Sequence, residues 1–520
     1  MRFAEIVETS RRVRGSGGRL DKVRALAATL AQAVPEEIET AVGLLSGSPR
    51  QGRLGVGWSI LQQARTTPAP APTLTLAEVD AALDALAAMG KGGSPKERAR
   101  LVGELMARAT GAEQDFLARA LIGELRQGAL EGLMVDAVAQ AAGLPVADVR
   151  RAAMVAGALG PVARLALTEG AAGLAPLAIR LFSPVKPMLA QTAADTAEAL
   201  GRLGRMALEH KLDGARIQVH KDGDEVRVYS RTLKEVTPAV PEVVEAVRGL
   251  AAPTLILDGE AIAFRSGRPE PFQVTMRRFG RRLDVERMRA EIPLSCWFFD
   301  CLYRDGAPLI DHPGEERFAA LAHALPPPLV IPRAVTDDPG AAGAFLQGAL
   351  DAGHEGVMAK ALDAPYTAGA RGSAWLKIKP AVTLDLVVLA AEWGHGRRRG
   401  WLSNLHLGAR DPANGGFVML GKTFKGMTDR MLAWQTEALQ AIAIGREGHT
   451  VHVRPELVVE IAFNDIQESP HYPGGLALRF ARVKGYRADK RPEEADTIDT
   501  VRAIHRKRLG LTAMAAGGEG

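Results

Sequence analysis

Glu209-His210-Lys211-Leu212-Asp213-Gly214-Ala215-Arg216 stands between the apolar run Met206-Ala207-Leu208 and the alternating run Ile217-Gln218-Val219-His220. Alternation resumes at Glu225-Val226-Arg227-Val228-Tyr229 after Lys221-Asp222-Gly223-Asp224. Residues 217–229 therefore read as a β-hairpin with Lys211 at its mouth, and Gly214 is expected to relax the backbone beside it. A lysine attacks an electrophile only as the neutral amine. Partial desolvation and neighbouring cations favour that form, and Arg216, Arg231 and further lysines could supply the charge. A solvated hairpin lysine would carry the same letters, so the octet has to be weighed in its context.

That context is a chain of 520 residues, 47% of them hydrophobic, enough for roughly three or four domains with their own cores. A net charge of +5 and a pI near 9.2 permit a polyanionic partner without requiring one, because the excess is small for this length. Cys296 and Cys301 are the only cysteines. They cannot build a four-cysteine zinc module, and they fit a reducing compartment in which thiols act as small hydrophobes. Met1-Arg2-Phe3-Ala4-Glu5 has no apolar signal core, and the most apolar region, 152–182, is interrupted by Pro161, Arg164 and Glu169. It reads as buried helices, so no membrane association is expected and the cytoplasm is inferred.

Residues 1–180 are rich in Ala and Leu and read as successive helices. Arg65-Thr66-Thr67-Pro68-Ala69-Pro70-Ala71-Pro72 is an extended connector, after which Thr75 and Glu78 form a capping box ahead of Val79, Leu83 and Leu86 on one helix face. Later helices carry Phe116, Leu117, Leu121 and Leu125, then Leu130, Leu133, Met134, Ala137 and Val138, with Gly128 and Gly143 as C-terminal caps. Arg11, Arg12, Arg14, Arg19 and Lys22 among glycines, and Arg50 with Arg53, read as phosphate-binding loops or as ordinary solvated surface.

From Ser183 short apolar strands take over. Ser230-Arg231 follows the hairpin, a helix spans about 243–250, and Glu260 is an acid inside the apolar strand 255–264. Phe299 lies in the strand 296–303, where it could stack on a flat ring or simply fill a core. Glu355 precedes the strand ending at Lys360, and Tyr366 to Arg371 lead into Trp375-Leu376-Lys377-Ile378-Lys379. Lys377 and Lys379 share a strand face, which suits a triphosphate clamp or a lysine-decorated sheet edge. After Pro380 the short strands suggest a β-barrel, with a basic loop at 394–400. Gly416 to Thr423 satisfies GxxxxGKT, but Phe417-Val418-Met419-Leu420 reads as strand and no apolar helix follows, so a phosphate loop is rejected.

In this order the elements resemble the six nucleotidyltransferase motifs of ATP-dependent DNA ligases, over nearly the whole chain. The resemblance implies that Lys211, in KxDGxR, takes up AMP covalently. It implies that Glu209, Arg216, Arg231, Glu260, Phe299, Lys377, Lys379, Arg487 and Lys490 hold the nucleotide, with Phe299 stacking on adenine. Glu260 and Glu355 correspond to acids associated with Mg²⁺ (or Mn²⁺). The sixth motif, ending in Arg487-Ala488-Asp489-Lys490, departs from relatives at Ala481 and Gly485.

The implied architecture is multidomain: an all-α DNA-binding domain (1–180), an α+β adenylation domain (183–382), an OB-fold barrel (383–510) and a tail (511–520). The implied function is sealing of 5′-phosphate/3′-hydroxyl nicks in double-stranded DNA by a monomer using ATP and Mg²⁺, through lysine-AMP and adenylated DNA. On this reading the barrel closes over the nucleotide, and a fragment from Ser183 still forms the lysine adduct. NAD-dependent ligases share the lysine but add the zinc module that two cysteines cannot build. An RNA ligase or RNA-capping nucleotidyltransferase would share the lysine and strands without needing a large helical domain. A non-catalytic DNA-binding protein would keep only the scaffold.

Overall fold

The period of Phe3, Ile6 and Val13, all buried, carries one helix unbroken from Phe3 to Gly15. It is the first of ten helices that run to Leu174 among the described residues and share one core. The structure, a computed structural model, describes residues 1–508 except 53, 91–92, 126–130, 266–267, 271, 280–283, 369–372 and 381, and leaves the side chains of Arg397, Lys507 and Arg508 undescribed. Arg53, Gly128, Leu130, Arg371 and the tail 511–520 therefore lie outside the described residues. The capping box forms as expected: Glu78 N donates to Thr75 Oγ1 at 3.2 Å and Thr75 N to Glu78 Oε2 at 2.8 Å. Gly143 caps the helix Glu131–Ala142 at φ +65°. No described helix is long and apolar enough to cross a membrane.

The basic clusters differ from their expected form. Arg11, Arg12 and Arg14 sit on the last turns of the first helix, because its apolar period overrides the loop reading, and only residues 16–18 lie outside helix. Arg19 opens the next helix and pairs with Asp136 at 2.6 Å. Arg50 is in a turn but is held by Asp80 at 2.8 Å and by Asp84.

Eleven strands follow: β1 (Gln191–Ala193), β2 (Met206–His210), β3 (Ala215–Asp222), β4 (Glu225–Ser230), β5 (Thr254–Arg265), β6 (Arg268–Pro269), β7 (Leu294–Arg304), β8 (Ala307–Pro308), β9 (Arg333–Thr336), β10 (Val357–Ala361) and β11 (Trp375–Ile378). They form two sheets, ordered β1-β11-β10-β2-β9 and β4-β3-β5-β7-β8, with β6 on β5. The β3–β4 hairpin pairs Ile217 with Ser230 and Asp222 with Glu225, and Gly223 turns it at φ +55°. Ile217 and Val219 enter the core under β5, while Gln218 and His220, on the other face, are buried against residues 182–185. The chain crosses from one sheet to the other between β2 and β3, and that crossing carries Lys211.

The helical part does not hang on a bare linker. Met154 and Val155, from the helix Val146–Val155, share a buried cluster with Val185, Met188, Ile256, Leu302 and Tyr366. Ala368 N donates to Met154 Sδ at 3.2 Å, and Arg151 pairs with Asp311 at 2.6 Å.

The last region holds β12 (Val382–Trp393), β13 (Leu402–Arg410), β14 (Phe417–Thr423), β15 (Ala443–Glu447), β16 (Thr450–Val453), β17 (Val458–Phe463), β18 (Asp465–Glu468), β19 (Leu476–Arg479) and β20 (Arg482–Tyr486). The long β12 is bulged and pairs with β13, β16 and β17, which curls the sheet around its own core. Residues 417–423 are strand β14, antiparallel to β13, so GxxxxGKT is no phosphate loop here.

Candidate active site

Lys211 follows β2 directly, and the β2–β10 ladder continues past the strand ends: Lys211 N donates to Gly356 O at 2.8 Å and Glu355 N to Lys211 O at 3.2 Å. This pairing sets the two side chains together, with Lys211 Nζ 2.5 Å from Glu355 Oε2. The other carboxylate oxygen of Glu355 pairs with Lys379. Gly356 is required here. It holds φ +143°, and a Cβ would lie 2.1 Å from Ile378 O. The same close approach of β10 to β11 brings Lys377, opposite Met358, into the cleft.

Gly214 acts differently from its expected role. Its φ is not left-handed; instead an added Cβ would meet Ala261 O at 2.5 Å, and its N–H donates to Glu260 Oε1 at 2.8 Å. The missing side chain lets the turn after Lys211 lie against β5. Burial pushes the Glu260 carboxyl up to about 7, against the pull of Lys211.

The expected cationic activation of Lys211 is not what the free protein contains. Burial favours the neutral amine, but the carboxylates of Glu355, Glu260 and Asp213 outweigh it and hold the ammonium above its ordinary range. Burial works against the charge of Glu355 too, and Lys211 and Lys379 overcome it, keeping that carboxyl low. Arg216 is committed elsewhere. It makes a fork to Asp258, with Nε to Oδ1 at 3.0 Å and Nη2 to Oδ2 at 2.6 Å, and its Nη1 donates to Met188 O.

These groups line a cleft of about 730 Å³ between the two sheets. Phe299 lies on its wall with Lys360 Nζ 4.4 Å from the ring centre and Trp375 edge-on. Glu209 is buried beneath, accepting from Arg333 at 2.6 and 2.8 Å and pairing with Lys360 at 2.6 Å. Arg231, exposed just past β4, stands at the rim. The cleft thus gathers Glu209, Lys211, Arg216, Arg231, Glu260, Phe299, Glu355, Lys377 and Lys379.

Arg487 and Lys490 are not among the residues lining it. Both pair with Asp385, at 2.9 and 2.6 Å. The barrel instead sends Asn464, Asp465, Arg479, Phe480 and Arg482 to the cleft. The sequence reading missed Asp258, Arg333 and Tyr366 as parts of the site. Asp258 could have been found, since it stands two residues before Glu260 on the same strand face. Arg333 carries no pattern of its own.

Residues 187–379 match the family described as ATP dependent DNA ligase domain, 398–490 its C terminal region, and 59–139 the DNA ligase N terminus. A "Probable DNA ligase" of Anaeromyxobacter sp. (strain Fw109-5) is 63% identical over 98% of this chain and 99% of its own. "DNA ligase B" of Mycobacterium tuberculosis (strain CDC 1551 / Oshkosh) is 54% identical over 97% of this chain and 100% of its own. The solved structure "Pmar-Lig_Pre." covers 93% of this chain and 99% of its own at 19% identity with a TM-score of 0.63, which shows a shared fold. With three ligase regions in order and relatives matching over almost its full length, the chain belongs to the ATP-dependent DNA ligase family, enzymes that use ATP to join DNA strands.

Proposed function

We propose that this chain seals nicks in duplex DNA with Lys211 as the nucleophile. The observation that carries the assignment is the placing of Lys211 Nζ, Glu355, Lys379, Lys377 and Glu260 in one cleft beside the Phe299 ring. In the first step the neutral Lys211 amine attacks the α-phosphorus of ATP, an N–P bond forms, and pyrophosphate leaves with the electrons of the broken P–O bond. The ammonium must first lose its proton to water, which requires positive charge arriving beside Glu355 to loosen that carboxylate's hold on it. Lys377 and Lys379 face the charge that develops on the phosphates. AMP then passes to the 5′-phosphate of the nick, restoring Lys211. The 3′-hydroxyl finally attacks that phosphate and AMP departs.

Mg²⁺ fits the donor set. Among the described residues no group of three or more metal-ligating side chains converges. One or two carboxylates plus substrate phosphates is the mode this ion favours, and Glu260 and Glu355 supply the carboxylates. Bound there, the ion would neutralise phosphate charge. Arg487 and Lys490 would reach the pyrophosphate only once the barrel moves, exchanging Asp385 for substrate. The helical region, 1–180, would hold the duplex, with Arg12 and Arg14 exposed and open space around Gly15 and Gly17 for a phosphate backbone. The adenylation and barrel domains would divide near 382, where β12 begins. A monomer suffices, because one chain assembles the cleft. The two buried, unpaired thiols suit the reducing cytoplasm.

The test is incubation with labelled ATP, GTP or NAD⁺. ATP alone should label the protein, the label should map to Lys211, and Lys211→Ala should lose it. Wild-type labelling of that variant at another lysine would sink the assignment.

A further inference from the structure

Tyr366, in the segment between β10 and β11, is 2% exposed and takes no part in the chemical steps above. Its hydroxyl is fully used. It donates to Asp258 Oδ2 at 2.6 Å and accepts from Arg216 Nη2 at 3.2 Å and Met188 N at 3.0 Å, which exhausts one donor and two lone pairs. Asp258 and Arg216 cannot hold each other as rigidly alone, since the phenol bridges the second oxygen of the fork and the second guanidinium nitrogen. Arg216 is the cation of this group that faces the nucleotide cleft, 5.4 Å from the Phe299 ring centre.

The phenol is itself positioned from two sides. Tyr366 N donates to Ile310 O at 2.8 Å, and the ring meets Trp375 edge-on at 5.8 Å. Two residues on, Ala368 N donates to Met154 Sδ, and Met154 and Val155 of the helical domain lie in the same buried cluster as Tyr366. A shift of the helix Val146–Val155 would therefore press on the segment that carries the hydroxyl, through the buried side chains the two share.

We propose that Tyr366 is a positioning residue that fixes Arg216 at the nucleotide cleft and links that cleft to the helical domain through Met154. This extends the lysine-adenylation reading and depends on it. Tyr366→Phe deletes one oxygen without changing the ring. It should raise the KM for ATP in lysine-AMP formation by about tenfold, the value of one hydrogen bond to a charged group, while kcat stays within about threefold. Met154→Ala should raise the same KM by a smaller factor, and the double variant should show less than the product of the two effects, since both act through one hydroxyl.

The measurement is single-turnover adduct formation against ATP concentration in the full chain, with a thermal midpoint for each variant. A lowered midpoint with unchanged KM for Tyr366→Phe would make the residue merely structural and overturn the proposal. Effects that multiply in the double variant would overturn the link to the helical domain. Should Tyr366→Phe fail to fold, Met154→Ala decides alone: no change in KM refutes the link. A wild-type chain that forms no adduct with ATP would instead defeat the parent reading.

Discussion

Gly214→Ala is the smallest change that tests how the nucleophile is placed. The added methyl would sit 2.5 Å from Ala261 O and 3.0 Å from Glu260 Cγ and Ile262 Cβ. None of these atoms is the free end of a flexible side chain, because Ala261 O belongs to the paired strand β5. Relief to an ordinary carbon–oxygen contact needs a backbone shift of nearly ~1 Å, at a cost of about 1–3 kcal/mol in stability. The shift falls on the turn three residues after Lys211 and breaks the 2.8 Å bond from Gly214 N to Glu260. A misplacement of that size at a reacting group lowers the rate on the order of 100-fold. The assay is the single-turnover rate of adduct formation with labelled ATP, beside a thermal midpoint. Sealing of a nick adenylated beforehand should suffer less, since Lys211 has finished its work by then. Adduct formation within about threefold of wild type would refute the claim that close packing, rather than backbone freedom, is what the glycine supplies.

Arg487→Ala with Lys490→Ala should abolish adduct formation from ATP yet leave sealing of pre-adenylated nicks largely intact; equal loss in both assays would mean these residues serve something other than pyrophosphate departure. His220 is fully buried, and burial pushes its imidazole down to about 3, with Phe182 N donating to Nδ1 at 2.8 Å. The unfolded chain takes up this proton near its ordinary value and the folded chain does not, so stability is complete above about pH 6.5 and falls below it, by about 2 kcal/mol at pH 5. A thermal midpoint that stays level from pH 7 to pH 5, or falls equally in His220→Gln, would remove that residue from the account. A fragment from Ser183 loses Met154, Val155 and Ile179 from a shared core, at about 1.5–3 kcal/mol per fully buried side chain, so it should be markedly less stable than one beginning at Val146. Matching midpoints and matching adduct yields for the two fragments would show that the helical contact is dispensable.

Elements with strong local periodicity are legible in the sequence itself. The helix at Leu76–Ala88 with its capping box, the β3–β4 hairpin and strand β14 in place of a phosphate loop each follow from residues close in sequence. The ordered motifs likewise named most of the side chains that line the cleft, because catalysis requires particular functional groups and the chain displays them at strand ends. What only the tertiary structure decided was pairing across distance. Glu355 meets Lys211, 144 residues away, because the strands each adjoins share a ladder, and that contact reverses the expected protonation of the amine. Arg216 is claimed by Asp258 and Tyr366, Glu209 by Arg333 and Lys360, and Arg487 by Asp385. A charge takes its pKa and its partner from whatever lies within a few ångströms, and sequence spacing does not encode that neighbourhood once the strands that bring it together are far apart along the chain.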